Sequence, residues 1–166
     1  MSFRPLKPGI ILPVNHQGED PLTTHSHDHH HHRGGVLTPS LIGIGLSLGT
    51  LPLHLILSHD VSVELAAMTV AVIGAIYLGF AIQAGTPRQV AVEALVSTLF
   101  LGAALAGIWW SAWVVPAAYA AHGVWDWLHH GRASSADLVL VRAWYPPFCA
   151  AYDWIFAGGL ALIWLA

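Results

Sequence analysis

Charge is scarce in this chain. Only 9% of its 166 residues are Asp, Glu, Lys or Arg, against about 25% in a soluble domain. A surface so poor in charge does not stay solvated in water, which excludes an ordinary cytosolic enzyme. Basic residues are scarcest, with 6 Lys and Arg against 9 Asp and Glu and a net charge of −3. No basic face is therefore available for nucleic acid. Cysteine is nearly absent. The single Cys149 excludes an internal disulfide and a CxxC metal site. Residues 1–35 lack a long apolar run. The Ile10, Ile11 and Leu12 stretch is too short for a signal-peptide core, and the Pro- and His-rich composition predicts a disordered tail.

What remains is apolar. Hydrophobic residues make up 55% of the chain and the mean hydropathy is +0.61, which points to a membrane protein. The segments 36–58 and 63–83 are each long enough to cross roughly 30 Å of hydrocarbon. The run from 89 to 130 is almost unbroken. As one helix it would reach roughly 63 Å at 1.5 Å per residue, twice the bilayer, so it must fold back. The hairpin is expected at Trp109, Trp110 and Trp113, an aromatic cluster of the kind found at membrane interfaces. This gives spans 89–108 and 113–130. A polar loop follows, and Pro147 in a first helical turn opens a fifth span over 148–166. The expected fold is an all-α membrane protein, a bundle of five transmembrane helices over 36–166.

Charge placement agrees with five spans. Arg4, Lys7 and Arg33 precede the first span, Arg88 lies between the second and third, and Arg132 and Arg142 between the fourth and fifth. All six then fall on one side, which the positive-inside rule makes the cytoplasm. The N-terminus is predicted inside and the C-terminus outside, in a multi-pass protein of the bacterial inner membrane.

Histidine is the commonest ionisable residue, with 12 in the chain. The topology sets the depth of the ones that matter. Glu93 enters with the third span, His122, Asp126, His129 and His130 leave with the fourth, and Asp153 enters with the fifth. All lie within roughly 12 Å of the inner boundary at 1.5 Å per residue. His122, Asp126 and His129 occur at i, i+4 and i+7 and so share a helix face. Two His one turn apart on one face is also the device by which HExxH helices bind zinc. His122, Asp126, His129 and His130 are the candidate metal ligands, and Glu93 and Asp153 the candidate catalytic carboxylates, each able to ligate or to activate metal-bound water. Imidazole and carboxylate donors suit a divalent transition metal, zinc first, with iron, manganese, nickel and copper also compatible. Each residue also has a structural reading: a His122–Asp126 pair pinning helices, His129 and His130 at a helix C-terminus, Glu93 near a helix N-terminus. It is their common depth in a membrane, where ionisable groups are costly, that makes them a functional candidate.

Other features weigh less. The tract from His25 to His32 can gather metal ions or serve as a solvated linker. His54, His59, Asp60 and Glu64 read as an exposed outer loop. Cys149 shares a face with Asp153 and reads as a buried thiol. Ala67, Ala71, Ala75 and Gly79, and Gly45 with Gly49, form small-residue stripes that let helices approach in lipid.

The segments His122-Gly-Val-Trp-Asp-Trp-Leu-His-His130 and Trp144-Tyr-Pro-Pro-Phe-Cys-Ala-Ala-Tyr-Asp153 resemble a family of small polytopic bacterial membrane proteins that carries a domain of unknown function. The resemblance implies a compact bundle with Glu93, His122, Asp126, His129, His130 and Asp153 among its polar motif residues, and no activity. Three function classes stay open: a metal-binding membrane protein acting on a lipid-like substrate, a metal-ion transporter or chaperone, and an accessory subunit of a larger membrane complex. The expected partners are membrane lipids and other membrane subunits or further copies of the chain.

Overall fold

The computed structural model describes residues 35–131 and 138–166. The chain divides into Met1–His31 and His32–Ala166. The first unit, with nearly all of the His tract, lies outside the described residues, as does Arg132.

The described residues form six helices and no strand: α1 (Leu37–Ile56), α2 (His59–Gly74), α3 (Ile76–Ala84), α4 (Pro87–Trp109), α5 (Val114–His129) and α6 (Tyr145–Leu165). Helices α2 and α3 are one run of 26 residues interrupted at Ala75, whose N–H reaches back to the carbonyls of Val72 and Ile73. By length and composition, four helices can cross a membrane: α1, α2 with α3, α4 and α6. The segment expected as the fourth span is helical, but α5 has only 16 residues, about 24 Å at 1.5 Å per residue. The turn before it falls at Trp110–Trp113, where Trp109 and Trp110 are largely exposed. Helix α2 begins four residues before the expected boundary and α6 three before, because Pro146 and Pro147 both fit its first turn.

Local chemistry explains where α4 starts. Thr86 and Gln89 form a reciprocal capping box, with Thr86 N–H donating to Gln89 Oε1 at 2.8 Å and Gln89 N–H to Thr86 Oγ1 at 3.3 Å, and Pro87 occupies the first turn. The Gln89 amide also donates to the Leu138 carbonyl at 2.8 Å. This ties the start of α4 to the segment after α5 and sets the height of Glu93.

Pairwise contacts fix helix directions. Ser40 donates to the Pro147 carbonyl, and Leu51 packs on Gly159, so α1 and α6 run parallel. The Tyr119 hydroxyl donates to the Ala66 carbonyl and Tyr77 stacks on His129, so α5 follows α2 and α3. Glu93 meets His129 and Gly107 meets Val115, so α5 is antiparallel to α4. The core of Val63, Val70, Phe100, Val115, Tyr119, Phe156 and Leu160 lies among α2, α4, α5 and α6. Helix α1 leans on α6 and hardly touches α2 or α3.

The small-residue stripes hold only in part. Ala67 is buried in the core and Ala71 packs against it, but a Cβ on Gly45, Gly49 or Gly79 would meet nothing. The close approach is at Gly43, where a Cβ would collide with the Phe148 carbonyl oxygen. The face of α1 that packs is Gly43, Ser47, Leu51 and His54, one residue row away from the stripe that spacing alone suggests. Periodicity shows that a row exists but not which row faces the neighbour.

Candidate metal centre

Each ionisable residue expected at the common depth, except His130, is buried: Glu93 1%, His122 2%, Asp126 0%, His129 6% and Asp153 2% exposed. They do not form one cluster. The structure sorts them into two, because the helices flanking α5 claim different members of its polar stripe.

The first cluster joins α5 to α6. Nδ1 of His122 lies 2.6 Å from Asp153 Oδ2 and 3.4 Å from Asp126 Oδ2. An ionised carboxylate only accepts, so Nδ1–H donates to Asp153. In a neutral imidazole that leaves Nε2 with a lone pair, and Nε2 is buried without a hydrogen-bond partner. Both oxygens of Asp126 are likewise buried and unpartnered. One ligand atom from each of His122, Asp126 and Asp153 lies within 4.8 Å of the others. Such a group can hold a metal ion. It offers nitrogen and oxygen donors of the type that zinc, manganese and iron accept. Electrostatics argues in the same direction. Two buried carboxylates carry two negative charges, and each uncompensated buried ion costs several kcal/mol. One protonated imidazole balances only half of that charge, whereas a divalent cation balances all of it.

The second cluster joins α5 to α4. His129 Nε2 lies 3.0 Å from Glu93 Oε1, and His129 Nδ1 lies 2.9 Å from the Trp125 carbonyl. A carbonyl only accepts, so Nδ1 bears a proton, and the Nε2–Oε1 contact holds one more between the two side chains. Trp125 Nε1–H donates to Glu93 Oε2 at 3.3 Å. Both nitrogens of His129 and both oxygens of Glu93 are therefore engaged with protein groups. His130 stands apart from both clusters, its ring stacked on Trp127 at 5.2 Å.

Tyr77 connects the two. Its ring lies on His129 with centroids 3.9 Å apart and planes 17° from parallel. Its hydroxyl sits beside Asp126 but closes no hydrogen bond. Toward the nearby helix ends, Tyr77, Ala81 and Val139 form a small apolar cluster with Trp125 and Tyr145 packed on it. Sequence reasoning did not single out Tyr77. The available signal was a tyrosine amid the Gly, Ala and Ile of its span, since a buried phenol in lipid needs a polar neighbour.

Cys149, half-buried, lines a cavity of about 210 Å³ together with His122, Asp153, Tyr77, Tyr145 and Tyr152. At the opposite end of the bundle His54 and Ser62 are buried rather than in an exposed loop. Ser62 Oγ accepts from Trp164 Nε1 at 2.9 Å and meets His54 Nδ1 at 2.8 Å. His59 and Asp60 are exposed as expected.

Comparison of the chain with known protein families, curated proteins and solved structures finds no match.

Proposed function

We propose that this chain is an integral membrane protein that binds a divalent transition metal, zinc foremost, at His122 and Asp126, with Asp153 holding His122 in place, and uses it as a Lewis acid toward a lipid-like substrate. The observation that carries the reading is the set of buried, unpartnered atoms at one place: His122 Nε2 and both Asp126 oxygens. Folding rarely leaves several such atoms together without partners unless something else satisfies them. The Asp153–His122 hydrogen bond adds support, since a carboxylate that takes the other imidazole proton sets the tautomer and orientation of a metal-ligating histidine. A bound cation would polarise an oxygen of the substrate or lower the pKa of a bound water. Glu93 and His129 would hold α4 against α5 and keep the nearby layer dry.

The same proposal takes α5 as the fifth span. Its antiparallel course between α4 and α6 supports this, and the Trp110–Trp113 turn and His130 would complete its length. The N-terminus would then be cytoplasmic, the C-terminus outside, and the site near the cytoplasmic face of a bacterial inner membrane. The HGxWDxxHH and WYPPFCxxYD segments would place the chain with the small polytopic membrane proteins they resemble.

Transport fits less well. The buried polar groups near His54 and those near His122 are separated by the packed layer of Val70, Phe100, Tyr119 and Phe156, and a transporter needs polar groups through the midplane. The test is metal analysis of detergent-purified protein in which the tract histidines from His25 to His32 are changed to asparagine. About one transition-metal ion per chain is expected, lost in His122→Ala and Asp126→Ala. Protein without metal that co-purifies with other membrane subunits would favour the accessory-subunit reading instead.

A further inference from the structure

We infer that the cavity beside the metal centre is a side entrance from the bilayer, and that its occupant is the single hydrocarbon chain of a neutral fatty-acyl ester or amide. The inference deepens the metal reading and rests on it for the polar end of the ligand only. The cavity of about 210 Å³ lies between α1, α2 with α3, and α6, walled by Leu46, Ile73, Ile76 and Phe148, with His122 and Asp153 among its lining residues. It exists because α1 packs on α6 and hardly touches α2 or α3. Near the other end, the His54–Ser62 hydrogen bond joins α1 to α2 and Trp164 of α6 donates to Ser62, so the gap is pinned there and stays open further along. Leu46, at its mouth, is half exposed. The helices on either side of that mouth are three of those long and apolar enough to span a membrane, so what faces the gap is hydrocarbon rather than water.

Size and charge narrow the occupant. The cavity is smaller than the roughly 300–1,000 Å³ of pockets that enclose whole drug-sized ligands. It takes a stretch of one chain, not a two-chain lipid. Two aspartates and a divalent cation sum to zero charge, so a neutral carbonyl reaches the centre without stranding a charge in a dry site, whereas a free carboxylate would add one. The chain would lie against Leu46, Ile73 and Phe148 while the carbonyl oxygen faces His122 and the metal.

The experiment uses full-length protein in lipid nanodiscs, loaded with zinc, and a palmitoyl amide carrying a diazirine in its chain. After irradiation the labelled residues are mapped by mass spectrometry, and zinc is measured in parallel. Labelling is expected at Leu46, Ile73 and Phe148, and is expected to fall about tenfold in Leu46→Trp, which fills the mouth while leaving zinc bound. The corresponding free acid should label more weakly. If Leu46→Trp loses zinc as well, Ile76→Phe narrows the same gap from the other wall and replaces it. Label spread evenly over lipid-facing residues such as Leu99 and Leu162, or crevice label unchanged in a filled variant that keeps zinc, overturns the inference. Crevice label that Leu46→Trp abolishes in protein that never takes up zinc upholds the entrance and sinks the metal reading.

Discussion

Asp153 on α6 accepts a hydrogen bond from His122 on α5 at 2.6 Å, and this one contact decides which imidazole nitrogen is left to face a ligand. Asp153→Asn keeps an acceptor for Nδ1–H but removes a charge. Metal affinity is expected to fall about 10–100-fold, the range for residues that orient a metal-ligating histidine or tune its basicity. Asp126→Asn, which changes a carboxylate whose oxygens close no hydrogen bond, should abolish binding. Competition with a zinc-sensitive dye measures both. Equal, undiminished affinity in the two variants would remove both aspartates from the site.

The Glu93–His129 pair should behave in the opposite way. Glu93→Ala leaves His129 Nε2 buried without an acceptor and Trp125 Nε1 without its partner, a loss of about 3–5 kcal/mol by analogy with other broken buried pairs. Thermal unfolding in detergent should shift down clearly, while protein assayed below its transition keeps its metal. Loss of metal without loss of stability would instead make Glu93 a ligand.

Packing of α1 on α6 gives a paired test. Gly43→Ala forces a methyl group against the Phe148 carbonyl oxygen, which is backbone and cannot turn aside. A cost of about 1–3 kcal/mol is expected. Gly45→Ala meets nothing and should leave stability unchanged or slightly raised, since Ala is the better helix former. Thermal unfolding of the two variants side by side distinguishes these rows.

The course of α5 is testable without reference to the site. In a Cys149→Ala background, Ser111→Cys and Gly131→Cys flank α5. If α5 crosses the bilayer, a membrane-impermeant thiol reagent added to intact cells labels position 111 and spares position 131. Labelling of both positions, or of neither, on intact cells would mean that α5 does not cross.

Much of the fold is legible in the sequence because lipid imposes a simple code. Apolar runs without charge mark spans, and Trp109 and Trp110 mark a turn. The shared level of these residues is legible too, since span ends fix how far Glu93, His122 and Asp153 lie along their helices. Azimuth is not. Spacing puts His122, Asp126 and His129 on one stripe of α5, but only the packed neighbours show that α6 takes His122 and α4 takes His129. The same blindness led from Gly45 and Gly49 to Gly43. The cavity is invisible to sequence for a related reason: it arises where α1 and α2 stand apart beyond their His54–Ser62 contact, and no residue pattern announces a contact that is not made.

The most direct test of the central claim is anomalous X-ray scattering from crystals of zinc-loaded protein, measured on both sides of the zinc absorption edge. One strong peak bounded by His122, Asp126 and Asp153 is expected, absent in Asp126→Ala. A peak at Glu93 and His129, or none at all with the His122–Asp153 hydrogen bond unchanged, would contradict it.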